Sequence, residues 1–122
     1  MGRLSTHVLD TVSGRPAAGM RIEFLEASPD GGWLHRGDIR TNADGRTDQP
    51  IMAGDAFHTG RFQLRFHVAD YFRDKGASLG VTQPDPPFLD IVPIHFGIAE
   101  PDGHYHVPLL CSPWTYSTYR GS

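Results

Sequence analysis

The stretch RFQLRFHV, residues 61–68, sets Phe62, Leu64, Phe66 and Val68 on one side of an extended chain and Arg61, Gln63, Arg65 and His67 on the other. Successive side chains of a strand point to opposite faces, so this period of two predicts a strand with one face in a core and one toward solvent or a partner. The same alternation recurs in Met20, Ile22 and Phe24 against Arg21 and Glu23, and in Val92, Ile94, Phe96 and Ile98 against Pro93, His95 and Gly97. Residues 4–10, 33–40 and 104–110 supply further strands. Turn signatures separate them at Ser13-Gly14, Asp30-Gly31-Gly32, Asp44-Gly45 and Pro101-Asp102-Gly103, the last closing a hairpin. Only ADYFRDK, residues 69–75, has helical composition, with Gly76 placed to end it.

These elements predict an all-β fold, a sandwich of two antiparallel sheets with seven to eight strands and one short helix; closure into a barrel is the alternative. Residues 1–122 read as a single domain, long enough to bury about two thirds of its unfolded surface. Small sandwiches leave edge strands and outer faces exposed, and pairing with copies of the same chain covers them, so an oligomer is expected. A net charge of -3 offers no electrostatic footprint for nucleic acid or an anionic membrane. Cys111 is the one cysteine, which excludes an internal disulfide, and no apolar run is long enough to span a bilayer. A reducing cytoplasm is the expected compartment.

Candidate chemistry gathers on histidines. In GHYHVPLLCSP, His104 and His106 are two apart in a strand and project from one face, while Tyr105, Val107 and Leu109 turn inward. In LSTHVLD, Thr6 and Val8 take one face and His7 the other. Two side-by-side imidazoles are poor core filling, because a buried ring needs partners for both nitrogens. His-x-His plus a third His is the ligand set of a catalytic zinc with water in its open position. The same trio without metal can hold and deprotonate water, since an imidazole pKa near ~6.5 suits general-base work. Spacing leaves both open, together with simple solvated histidines. His35, His58, His67 and His95 read as surface or structural residues. Arg46, just past the Asp44-Gly45 turn, is either a solvated turn residue or a cation that stabilises developing negative charge. The final residues STYRGS crowd an aromatic ring, a guanidinium and hydroxyls where chain ends usually carry small polar residues.

Three segments together, LSTHVLDTVSGRPAAGM, TNADGR and HYHVPLLCSPWTYSTYRGS, resemble the 5-hydroxyisourate hydrolases, the transthyretin-related enzymes of urate breakdown. The resemblance spans nearly the whole chain. Its most specific mark is the terminal Tyr-Arg-Gly-Ser, which the hormone-carrying transthyretins lack.

The resemblance implies a prealbumin-like (transthyretin-like) sandwich that pairs into dimers and then a homotetramer, with active sites in the channel between dimers. It implies hydrolytic opening of the six-membered ring of 5-hydroxyisourate with no organic cofactor and no metal. Carried over by motif, His7, Arg46, His106 and Ser122 form the catalytic set, with Ser122 orienting His106. His7, Arg46, His104, Tyr119 and Arg120 bind substrate, the last two as a wall of the site. Two departures from the family pattern stand near the tail: Thr115, where a smaller residue is more usual, and Cys111, where an aliphatic one is. Cys111 reads as a small buried hydrophobe. Three other readings compete: a non-catalytic transthyretin-like carrier of an aromatic small molecule, a zinc hydrolase built on His7, His104 and His106, and a sandwich-type interaction module.

Overall fold

The computed structural model describes residues 1–121. In chain order the elements are β1 (Arg3–Asp10), β2 (Arg15–Pro16), β3 (Arg21–Ala27), β4 (Trp33–Arg40), β5 (Met52–Ala53), β6 (Gly60–His67), α1 (Val68–Leu79), β7 (Ile91–Ile98), β8 (His104–Cys111) and β9 (Tyr116–Thr118). One sheet runs β2-β1-β8-β9, with β5 also paired to the start of β1; the other runs β4-β3-β6-β7. Seven of these strands have three or more residues, as expected, and β2 and β5 are two-residue additions at the edges of β1.

The inward faces follow the period of two. Leu4 and Val8 of β1 and Val107 and Leu109 of β8 meet Ile22, Phe24, Phe62, Leu64, Phe66, Val92 and Ile94 of the opposing sheet. Phe24 and Phe62 stack with ring centroids 5.6 Å apart. Full burial of a side chain such as Phe62 stabilises the fold by about 1.5–3 kcal/mol.

Among the described residues every strand pairing is antiparallel except one. β1 and β8 run parallel over their whole length, from Arg3 opposite His104 to Asp10 opposite Cys111. A parallel pair cannot be joined by a tight turn, and these strands lie near opposite ends of the chain, so no hairpin links them.

The polar face of β6 is less open than its alternation implies. Gln63 and His67 are buried rather than solvated. Each has a polar neighbour on the same sheet surface: Gln63 Oε1 accepts from Arg65 Nε at 2.9 Å, and His67 Nε2 lies 2.7 Å from Glu23 Oε2. The helix is longer than predicted, running past Gly76 to Leu79 and ending at Gly80 in the left-handed conformation with φ 69°. Gly76 serves close packing instead of termination, since a Cβ there would sit 2.6 Å from the Val81 carbonyl oxygen.

Asp10 at the end of β1 is wholly buried and fully used. Its Oδ1 accepts from the backbone N–H groups of Val12 and Ser13, and its Oδ2 from the Tyr71 hydroxyl at 2.9 Å. Burial first, then the nearby Asp10 carboxylate, push the Cys111 thiol up to about 12, so it is the inert buried residue the sequence suggested.

Candidate active site

The parallel seam decides which outward side chains meet. Its register puts Arg3 beside His104, Ser5 beside His106 and His7 beside Pro108, all on the sheet face turned away from the core. His7 and His106 therefore come together diagonally across the seam. Ser5 Oγ lies 2.8 Å from His106 Nδ1. Nε2 of that ring has no hydrogen-bond partner among the described residues.

Arg46 arrives from a separate segment. Asn42 nucleates the turn: its Oδ1 accepts from the N–H groups of Asp44 and Arg46, while its own N–H donates to the Arg46 carbonyl at 2.7 Å. Gly45 then adopts φ 72° and its carbonyl accepts from Val8 N at 2.8 Å, fastening the turn to the middle of β1. A Cβ on Gly45 would stand 2.5 Å from the Val8 carbonyl oxygen, so the approach requires glycine. The turn thereby sets the Arg46 side chain beside the histidines.

The electrostatics record that gathering. Burial, then the electrostatic influence of Arg46, His7 and Arg3, hold His106 below the ordinary histidine value. A ring so placed stays neutral at physiological pH and can accept a proton. A cavity of about 240 Å³ lies against this edge of the sheet, lined by Arg3, Ser5, Thr6, Arg46, Thr47, Asp48 and Pro50. Ser5 joins the two features, lining the cavity and bonding His106. Larger cavities, of about 580 Å³ beside Phe24 and Met52 and about 460 Å³ beside α1, lie away from the seam.

The tail is drawn along β8. Thr118 Oγ1 donates to the Pro108 carbonyl at 2.7 Å, and Gly121 N donates to the His106 carbonyl at 2.8 Å. The Arg120 guanidinium lies 4.2 Å above the Tyr105 ring and its Nη2 donates to the His104 carbonyl. Gly121 passes so close that a Cβ would fall 2.5 Å from His106 Cδ2. Tyr119 is exposed, as is His104. Ser122 lies outside the described residues.

Of the residues singled out in the sequence, His7, Arg46 and His106 are thus brought together, and His104 stands next to them along β8. Arg120 turns to Tyr105 and His104, pinning the tail. Ser5, Arg3 and Gly121 carried no role in the sequence reading. Ser5 and Arg3 had one available signal, their spacing of two and four before His7, which puts all three on one strand face. His7, His104 and His106 do not each bring a ligand atom within 4.8 Å of the others; among the described residues the one such trio is Glu23, His35 and Asp38, on the opposite sheet. That trio is tied up in ion pairs, with Arg21 Nη2 3.1 Å from Asp38 and His67 on Glu23.

A two-sheet sandwich with one parallel seam is the transthyretin-type architecture, and here that seam carries an imidazole–guanidinium cluster. The chain belongs to the HIUase/Transthyretin family, whose model matches residues 4–121. It is 56% identical over 121 residues to 5-hydroxyisourate hydrolase 2 of Rhizobium meliloti (strain 1021), covering 99% of this chain and 97% of that protein. Among solved structures, an (S)-allantoin synthase superposes with a TM-score of 0.87 at 46% identity, covering 99% of this chain and 44% of that longer one. Sea bream transthyretin in complex with thyroxine superposes with a TM-score of 0.82 at 28% identity, covering 98% of this chain and 94% of that one.

Proposed function

We propose that this chain is a 5-hydroxyisourate hydrolase of urate degradation, opening the six-membered ring to 2-oxo-4-hydroxy-4-carboxy-5-ureidoimidazoline. The observation that carries the reading is the meeting of His7, His106 and Arg46 on one sheet face, in a chain 56% identical to a protein of that name.

The reaction needs a base for water, a positive group for the oxyanion and a proton for the leaving nitrogen. His106, neutral and held through Nδ1 by Ser5, takes the proton from water as its oxygen bonds to the acyl carbon. Arg46 polarises the carbonyl and stabilises the negative charge that the attack creates. The carbon–nitrogen bond then breaks, the ring nitrogen leaves with a proton from an imidazolium, and the acid formed ionises to a carboxylate. His7 positions the water and His104 lines the site. Tyr119 and Arg120 wall it, with Ser122 as a further orienting group for His106. No organic cofactor or metal enters this scheme.

A homotetramer built as a dimer of dimers, in the cytoplasm, completes the proposal. Support for assembly comes from the exposed Trp114, Tyr116 and Tyr119 beside the sheet edge at β9. No helix among the described residues is long and apolar enough to cross a membrane.

The test generates 5-hydroxyisourate in place from urate with urate oxidase and follows the decay of its ultraviolet absorbance. The full chain accelerates decay, and a chain truncated after Thr118 and a His106→Ala variant do not. Near-normal turnover by His106→Ala overturns the assignment of the base. No acceleration by the folded full chain leaves a transthyretin-like carrier as the better reading, and light scattering checks the tetramer.

A further inference from the structure

The cavity beside the seam holds two guanidinium groups, and only one belongs to the catalytic set. Arg3, the first residue of β1, enters it from the sheet, and Arg46 from the turn fastened at Val8. One carboxylate, Asp48, shares the lining, and its Oδ1 accepts from Asn42 Nδ2 at 3.0 Å. Among the described residues neither Arg3 nor Arg46 is in an ion pair, whereas Arg21, Arg36 and Arg73 each are. The Ser5 hydroxyl stands on the same wall, and the Thr47 hydroxyl, also in the lining, donates to the Gln49 carbonyl. Two like charges converging on one small polar cavity repel unless an anion lies between them.

We propose that this cavity is an oxoanion subsite in which Arg3, with Arg46, binds the oxyanion of the tetrahedral intermediate and the carboxylate that ring opening produces. The inference rests on the hydrolase reading, because it is hydrolysis of the ring amide that turns a neutral carbonyl into a carboxylate. A planar guanidinium matches a carboxylate in two hydrogen bonds, and a pair of them flanks both of its oxygens. The substrate carbonyl is uncharged and the oxyanion is not, so Arg3 acts more on the transition state than on the bound substrate. Its charge also reaches His106, as the lowered histidine value records.

Two measurements test this. In the decay assay, Arg3→Gln lowers kcat about 10- to 100-fold while KM moves less than about threefold, and Arg3→Lys recovers most of the loss. Separately, oxalate is titrated into the full chain while the His106 imidazole resonances are followed by NMR; they shift in the parent and in Arg3→Lys, and not in Arg3→Gln. An active parent whose Arg3→Gln variant keeps kcat within about twofold overturns the role of Arg3 and leaves the hydrolase reading intact. An inactive parent in which oxalate shifts His106 only when Arg3 is present supports the anion site and removes the hydrolase reading. An oxalate response indifferent to Arg3 overturns the subsite.

Discussion

Ser5 Oγ meets His106 Nδ1 at 2.8 Å although the residues are 101 positions apart, because β1 and β8 lie side by side and point the same way. The contact holds the imidazole against rotation. A hydrogen bond of this kind contributes about 0.5–1.5 kcal/mol, which corresponds to roughly 2- to 10-fold in rate. Ser5→Ala therefore lowers kcat/KM by about that factor and Ser5→Thr restores it, as steady-state decay of 5-hydroxyisourate will register. A Ser5→Ala protein as active as its parent removes the serine from the mechanism.

Titration of His106 leaves a mark on stability. Its folded value lies below the ordinary one, through burial first and then Arg46, His7 and Arg3. In the unfolded chain it titrates near ~6.5. Between those two values the unfolded state holds more protons than the native one, so stability rises with pH across the window and is lost as pH falls through it. His106→Gln flattens this part of the curve, measured as urea midpoints from about pH 5 to about pH 8. The acid limb of kcat/KM falls below ~6.5 for the same reason, and Arg46→Gln moves it upward.

Gly45→Ala separates the placing of Arg46 from its charge. The new Cβ meets the Val8 carbonyl oxygen at 2.5 Å and the backbone is held at φ 72°, so the turn must lift from β1. A strained left-handed residue costs about 1–3 kcal/mol. Activity falls more than tenfold, on the order expected when a transition-state donor is displaced. Urea denaturation beside the decay assay resolves the two effects; full activity in a destabilised variant shows that Arg46 does not depend on the turn.

Gly121→Ala acts in the opposite proportion. Its Cβ would press on His106 Cδ2 at 2.5 Å, but the tail lies at the edge of the sheet, outside the core cluster. Although Gly121 is buried, the tail can lift from β8 without opening the core, so thermal stability changes by less than about 3 °C, or about 1 kcal/mol at most. Ring opening slows markedly, and the His106 resonances shift. Unchanged kinetics together with unchanged resonances would show that the tail gives way freely.

Much of the fold is legible in the chain because a strand with one buried face writes a period of two. Phe62, Leu64 and Phe66 display it, and so do Tyr105, Val107 and Leu109, whose alternation turns His104 and His106 outward. Pairing partners are not written that way, so the parallel register of β1 on β8 was hidden, and with it the contact of Ser5 with His106. Gln63 and His67 misled because alternation reports polarity, while their burial depends on Arg65 and Glu23 on the same surface. Gly76 misled because a glycine is demanded equally by a helix end and by a close neighbour, here Val81. The tail motif was readable as special, and its route beside β8 was not.

The seam between β1 and β8 also orders events in time. Strands β3 and β4 are near neighbours in the chain and can pair early, but Ser5 and His106 meet only after a loop of about a hundred residues has closed. The proposed catalytic residues His7, His106 and Arg46 lie on or against that late contact. A partly folded chain can hold one of its sheets and still have no catalytic surface. Recovery of hydrolysis during refolding therefore reports the last step of folding, and it should lag behind the return of strand signal in circular dichroism.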